Sequence, residues 1–123
     1  MTHIADTLTP AELATVHARG TRLTVPAGWS LIWERTPADK AYLIVAGEVT
    51  IRRRSVEVGR LGPGDIVGEM AIVNHKLRTA TVVAASPLEV LHFTAEVIEE
   101  LCAKIPALRD ALTATATERL GVA

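Results

Sequence analysis

The residues best equipped for chemistry lie between Gly64 and Val82. They read Gly64-Asp65-Ile66-Val67-Gly68-Glu69-Met70-Ala71-Ile72, then a short loop, then Arg78-Thr79-Ala80-Thr81-Val82. Gly68 lets the backbone turn sharply, and residues 69–73 can form one short helical turn behind it. Backbone N–H groups at the start of such a turn attract an anion, because that end carries partial positive charge. Arg78, ten residues beyond Gly68, opens a strand. Its planar guanidinium suits two oxygens of one phosphate group. The cations that follow Glu69 in this stretch are Lys76 and Arg78, and a carboxylate beside an anion site is suited to accept hydrogen bonds from sugar hydroxyls. Phosphate and ribose recognition within one loop is the coherent chemical reading. An ion pair between Glu69 and Arg78 that merely ties the loop down is the plainer one.

Such a loop needs elements to hold its two ends. Seven of the eight glycines fall between Gly20 and Gly68, which marks a turn-rich β region between helical ends. The N-terminal helix, about 9–20, is announced by Thr9, Pro10 and Glu12: an N-cap, a proline at the first helical position and a capping-box partner. Leu8 and Leu13 suit a hydrophobic staple, and Gly20 is expected to stop the helix. Short β-rich runs follow at 21–25, 29–33, 41–45, 48–52, 56–61, 66–67, 78–84 and 88–93, with a tight turn near Arg54-Ser55. Eight strands at this spacing predict an antiparallel sandwich, barrel or jelly roll rather than βαβ units. Thr94 caps a helix over 95–105 in which Val97, Ile98, Leu101, Cys102 and Ile105 share a face, and Pro106 opens a second helix running to about 120.

Composition limits what this scaffold can be. With 123 residues, of which 49% are apolar, the chain has material for one domain, 1–123, and its core. A formal charge of −1 supplies no global attraction to nucleic acid or anionic membrane. Apolar runs of about five residues fall far short of a membrane span, and no signal peptide is visible. One cysteine, Cys102, excludes an internal disulfide framework and fits a reducing cytoplasm. His3, His17, His75 and His92 are scattered without metal-ligand spacing, so no metal is expected. No Ser/His/Asp or Cys/His grouping suggests nucleophilic catalysis.

The segment resembles the phosphate-binding cassette of cyclic nucleotide-binding domains, as in protein kinase A regulatory subunits, cyclic nucleotide-gated channels and catabolite activator proteins. Gly68, Glu69, Met70, Ala71, Ile72, Arg78, Thr79, Ala80, Thr81 and Val82 carry the match. Outside it, residues 28–32, Tyr42, Ile44, Gly47 and Val49 follow the family's early strands, Leu61, Gly62, Gly64 and Asp65 its approach to the cassette, and Pro106, Leu108, Leu112 and Leu120 its closing helices. Val67, Leu77 and Arg35 depart from the family pattern, where Phe, Pro and Gly are usual; none removes a ligand-contacting group.

The resemblance implies a mainly β fold: an eight-stranded antiparallel, jelly-roll-like β-roll over about 21–93, with an N-terminal helix, a short cassette helix and two C-terminal helices over about 95–120. It implies that Gly68, Glu69, Met70, Ala71, Arg78, Thr79 and Thr81 bind the ligand. Glu69 would accept from the ribose 2′-hydroxyl, Arg78 would pair with the cyclic phosphate, and the amides of Ala71 and Thr79 would complete the cradle. The Thr79 hydroxyl permits cGMP without requiring it. The expected ligand is cAMP or cGMP, with no cofactor and no catalysis. The expected function is a cytoplasmic sensor signalling through its C-terminal helices to another domain or chain.

Alternatives are a nucleotide-independent structural or protein-interaction module that keeps the fold, and a cupin-type metalloenzyme, which would need clustered histidines. Direct DNA binding and membrane association are not expected. A homodimer through the last helix is conceivable, although Thr113, Thr115 and Thr117 make that helix weak. Leu108, Leu112 or Leu120 would cap the base. The Arg52-Arg53-Arg54 run reads as a solvated turn, Cys102 as a small core residue, and Trp29 and Trp33 as core or partner-packing residues on one strand face.

Overall fold

A computed structural model describes residues 7–33, 40–68 and 80–119, with side chains up to Leu112. Helix α1 (Pro10–Arg19) opens with the capping box in place. The Thr9 hydroxyl accepts from the Glu12 amide at 3.1 Å, and the Glu12 carboxylate accepts from the Thr9 amide at 2.9 Å. Gly20 ends the helix, but with an extended backbone rather than a left-handed one. It is needed for space: a Cβ there would stand 2.9 Å from Leu91 Cβ and 3.0 Å from the Phe93 ring.

Eight strands follow: β1 (Thr21–Val25), β2 (Ser30–Ile32), β3 (Lys40–Ala46), β4 (Val49–Arg53), β5 (Val56–Leu61), β6 (Ile66–Val67), β7 (Thr81–Ala84) and β8 (Leu88–Thr94). They form two four-stranded sheets, β1-β8-β3-β6 and β2-β7-β4-β5, in which every described pairing is antiparallel. Helices α2 (Ala95–Lys104) and α3 (Pro106–Arg119) close the chain. The expected mainly β roll with flanking helices is present; the expected cassette helix lies outside the described residues.

Strand β3 explains how the layers stack. Its run Ala41-Tyr42-Leu43-Ile44 is buried throughout because both faces are covered. Tyr42 and Ile44 point between the sheets, joining Val49, Ile51, Leu61, Val67, Val82, Leu88 and Val90 in one apolar cluster. Ala41 and Leu43 face the other way, joining Leu91 and Phe93 in a second cluster with Ile98, Leu101, Ile105, Leu108 and Leu112 from α2 and α3. The helices therefore cover the outer face of the first sheet. Each large aliphatic side chain so enclosed contributes roughly 1.5–3 kcal/mol of transfer free energy.

The two tryptophans are not core residues, which overturns one of the two expectations for them. Trp29 and Trp33 are 65% and 62% exposed. They flank the short β2, in which Ser30 pairs with Val83 and Ile32 with Val82, a register shift at Leu31.

Candidate functional site

The candidate loop begins and ends on different sheets. Its entry is the edge strand β6, held to β3 with Tyr42 opposite Val67 and Leu43 opposite Ile66. Its return is β7, in the second sheet, between β2 and β4. The loop thus joins the two layers of the roll.

The approach to β6 is built by the Gly62-Pro63-Gly64-Asp65 turn. Asp65 is buried at 3% exposure, and a carboxylate there requires hydrogen-bond donors. The Gly62 amide donates to its Oδ2 at 3.0 Å, and the Asp65 amide donates to the Gly62 carbonyl at 3.1 Å. The turn is then tied to β3: Gly64 N–H donates to the Ile44 carbonyl, and Ile44 N–H to the Asp65 carbonyl, both at 2.9 Å. These bonds set the position from which the chain leaves β6.

The next residue, Gly68, has φ of 88°. That is a conformation L side chains rarely adopt, directly after the end of β6 and directly before Glu69 in sequence. Of the seven expected ligand-binding residues, Gly68 and Thr81 are described; Glu69, Met70, Ala71, Arg78 and Thr79 lie outside the described residues.

Where the chain returns, Ala80 is buried in the inter-sheet cluster, as is Val82. Thr81, between them, is half-buried and pairs with Arg52 of β4. Ile51 and Val82 form the neighbouring pair and point between the sheets, so strand alternation directs Thr81 and Arg52 to the opposite face.

One relationship at this end of the roll had no linear signal. Register aligns Thr21, His92, Tyr42 and Val67 in a row across β1, β8, β3 and β6. The rings of Tyr42 and His92 lie 5.6 Å apart at an interplanar angle of 51°. This tilted aromatic pair sits one residue from Gly68, and only the strand register brings its members together.

The proposed base caps also find their places. Leu108 and Leu112 are buried against the outer face of the first sheet, on the side away from the inter-sheet cluster. In this arrangement both belong to the helix-covered core. Leu120 lies outside the described residues. No group of three or more His, Cys, Asp or Glu among the described residues could hold a metal ion. None of the described helices is long and apolar enough to cross a membrane.

Comparison with known proteins agrees with the fold. The profile of the cyclic nucleotide-binding domain matches residues 22–105. A cyclic nucleotide-gated potassium channel of Mesorhizobium japonicum is 34% identical over 117 residues, which cover 94% of this chain and 32% of the channel. A cAMP-dependent protein kinase regulatory subunit of Aspergillus fumigatus is 34% identical over 89 residues, 71% of this chain and 22% of that subunit. The chain thus spans a third or less of the length of these relatives.

Among solved structures, the catabolite activator protein of Thermus thermophilus superposes with a TM-score of 0.84 at 25% identity, covering 95% of this chain and 57% of that one. The regulatory domain of Toxoplasma gondii protein kinase A, crystallised with cAMP, shares the fold with a TM-score of 0.70 at 24% identity, covering 80% and 39% of the two chains. With the profile covering most of its length and the roll assembled as that family requires, this chain belongs to the cyclic nucleotide-binding domain family.

Proposed function

We propose that this chain is a non-catalytic sensor of a cyclic nucleotide, cAMP or cGMP, held by its phosphate and ribose in residues 68–81. The observation that carries the reading is Gly68 at φ 88°, at the end of a strand pinned to β3 and directly before Glu69. A cyclic phosphodiester carries one negative charge. One arginine fork, at Arg78, together with oriented backbone amides at Ala71 and Thr79, balances it without a metal. Glu69 accepts from the ribose hydroxyl, which distinguishes a ribonucleotide from an isolated phosphate. The return through Thr81 to β7 carries any movement of the loop into the second sheet. Transmission to another domain or chain then runs through α2 and α3, whose apolar faces rest on the first sheet.

Calorimetric titration of the purified chain with cAMP, cGMP and 5′-AMP tests this, alongside Arg78→Ala. Saturable binding of one cyclic nucleotide, weakened at least about tenfold in the variant, is the expected result. The preferred ligand then decides what Thr79 leaves open. A folded chain that binds neither cyclic nucleotide overturns the reading in favour of a nucleotide-independent interaction module.

A further inference from the structure

We propose that Arg53 reads the edge of the purine in the bound cyclic nucleotide and selects guanine over adenine. The inference rests on the sensor reading above and adds the choice of base to it. Along β4, Val49 and Ile51 point between the sheets, so alternation sends Arg53 to that inner face and Arg52 to the outer one. On the outer face Arg52 stands opposite Glu57. Arg53 is half-buried, which a solvated turn would not require. Among the described residues it nevertheless enters no ion pair and no side-chain hydrogen bond.

Its place on the inner face is next to the candidate loop. The ladder that sets Thr81 beside Arg52 brings Ala80, the residue before, to the level of Arg53. Ala80 is buried in the inter-sheet cluster and directly follows Thr79. Arg53 therefore stands where the loop re-enters the roll. One step deeper on the same face, Gly59 lies opposite Ile51. Its φ is not positive, and among the described residues a Cβ built on it would meet only Ile51 Cγ1, at 4.0 Å. Neither the backbone nor crowding from those residues demands glycine at 59. What glycine provides there is room beside Ile51, on an apolar face with one guanidinium at its edge.

That setting suits a flat, uncharged ring with acceptors on its rim. The ring lies against Ile51 and Gly59, and the guanidinium, which can only donate, meets the acceptors. Guanine turns two acceptors, O6 and N7, toward such a fork, whereas adenine turns N7 and the N6 amino donor. Arg53 thus gains two hydrogen bonds from guanine. With adenine one of its donors faces another donor. The Thr79 hydroxyl would answer the guanine 2-amino group, which lies on a different edge, so the two residues can be told apart.

Affinities for cGMP, cAMP and inosine 3′,5′-cyclic monophosphate test it, measured on wild type, Arg53→Met, Arg52→Met and Arg78→Ala. The inosine nucleotide keeps O6 and N7 but lacks the 2-amino group, so it separates Arg53 from Thr79. Wild type is expected to bind the guanine and inosine nucleotides at least about fivefold more tightly than cAMP. Arg53→Met is expected to erase that ratio while cAMP affinity stays within about twofold. Arg52→Met, on the outer face, is expected to keep it, with melting curves establishing that both variants fold. Absence of a guanine preference in wild type overturns the proposal, as does an unchanged ratio in Arg53→Met. Equal weakening of all three ligands in Arg53→Met also overturns it, and so does an inosine nucleotide bound no better than cAMP. In each of these cases, binding by wild type that is lost in Arg78→Ala leaves the sensor reading standing. Wild type that binds none of the three overturns both.

Discussion

Arg19, in the last turn of α1, places its guanidinium 2.6 Å from a carboxylate oxygen of Glu100 in α2. Lys104, one turn further along α2, reaches the other oxygen of that carboxylate at 3.3 Å. The clasp joins the first helix to the helix that follows the last strand. It closes beside the place where Gly20 lets the chain pass over Leu91 and Phe93.

The clasp predicts an acid-dependent loss of stability. The Arg19 hydrogen bond, then that of Lys104, holds the Glu100 carboxyl below its ordinary value. A carboxylate depressed in the folded state stabilises above its unfolded value of about 4.3, and that contribution disappears as pH falls through the lower folded value. Melting temperatures of wild type and Glu100→Gln are expected to differ at neutral pH and converge in acid. Both side chains are about two-fifths exposed, so the difference is small and shrinks with salt. A gap unchanged between neutral and acid conditions contradicts the assignment.

Gly47 predicts a large effect from a small change. Its φ is 90°, and a Cβ there would collide with the Pro87 carbonyl oxygen and stand 2.9 Å from Leu88 Cδ2. The opposing loop cannot easily yield, because the Glu48 amide donates to Ser86 Oγ at 3.0 Å and the Ala85 amide to the Glu48 carbonyl at 2.9 Å. Gly47→Ala is therefore expected to cost at least about 2 kcal/mol in denaturant unfolding. An unchanged unfolding midpoint would show that the turn is softer than its hydrogen bonds imply.

Leu112 reports on how α3 is docked. It is fully buried with Leu108, Ile98 and Leu101 against the outer face of the first sheet. Leu112→Ala removes that packing and leaves a cavity, for an expected loss of about 2–5 kcal/mol in chemical denaturation. A loss below about 1 kcal/mol would place α3 off the sheet in solution.

Cys102 is half-buried on α2, and burial raises its thiol above the ordinary value while Arg109 partly offsets this. At neutral pH it is therefore a poor nucleophile. Alkylation of the native protein is expected to run at least about tenfold slower than that of free cysteine and to accelerate on unfolding. Equal rates before and after unfolding would refute the packing.

Much was legible because local chemistry and fold agree. Thr9, Pro10 and Glu12 specify the start of α1 through bonds made within four residues, and Thr94 does the same for α2, accepting from the Val97 amide at 3.2 Å. The turn at Arg54-Ser55 and the break at Pro106 are likewise local, as is the pattern of Ile98, Leu101 and Ile105 on one helix face. The phosphate-and-ribose reading of Gly68, Glu69 and Arg78 rested on residue type and spacing alone.

Tertiary structure decided what depends on register and on which surfaces meet. Strand β2 is only three residues long and carries a register shift between Ser30 and Ile32, so the alternation expected over 29–33 does not hold, and Trp29 and Trp33 at its two ends are exposed. Gly20 caps its helix for want of room against Leu91 and Phe93 rather than for a left-handed turn, a reason visible only once β8 lies beside it. Leu108 and Leu112 go to the first sheet's outer face, and Tyr42 meets His92 across β3 and β8, because strand order rather than sequence distance sets the neighbours. Sequence by itself determined most of the elements, since their caps, turns and apolar periodicity arise from interactions within a few residues. The partners across the roll arise from long-range packing, and only the assembled sheets could choose them.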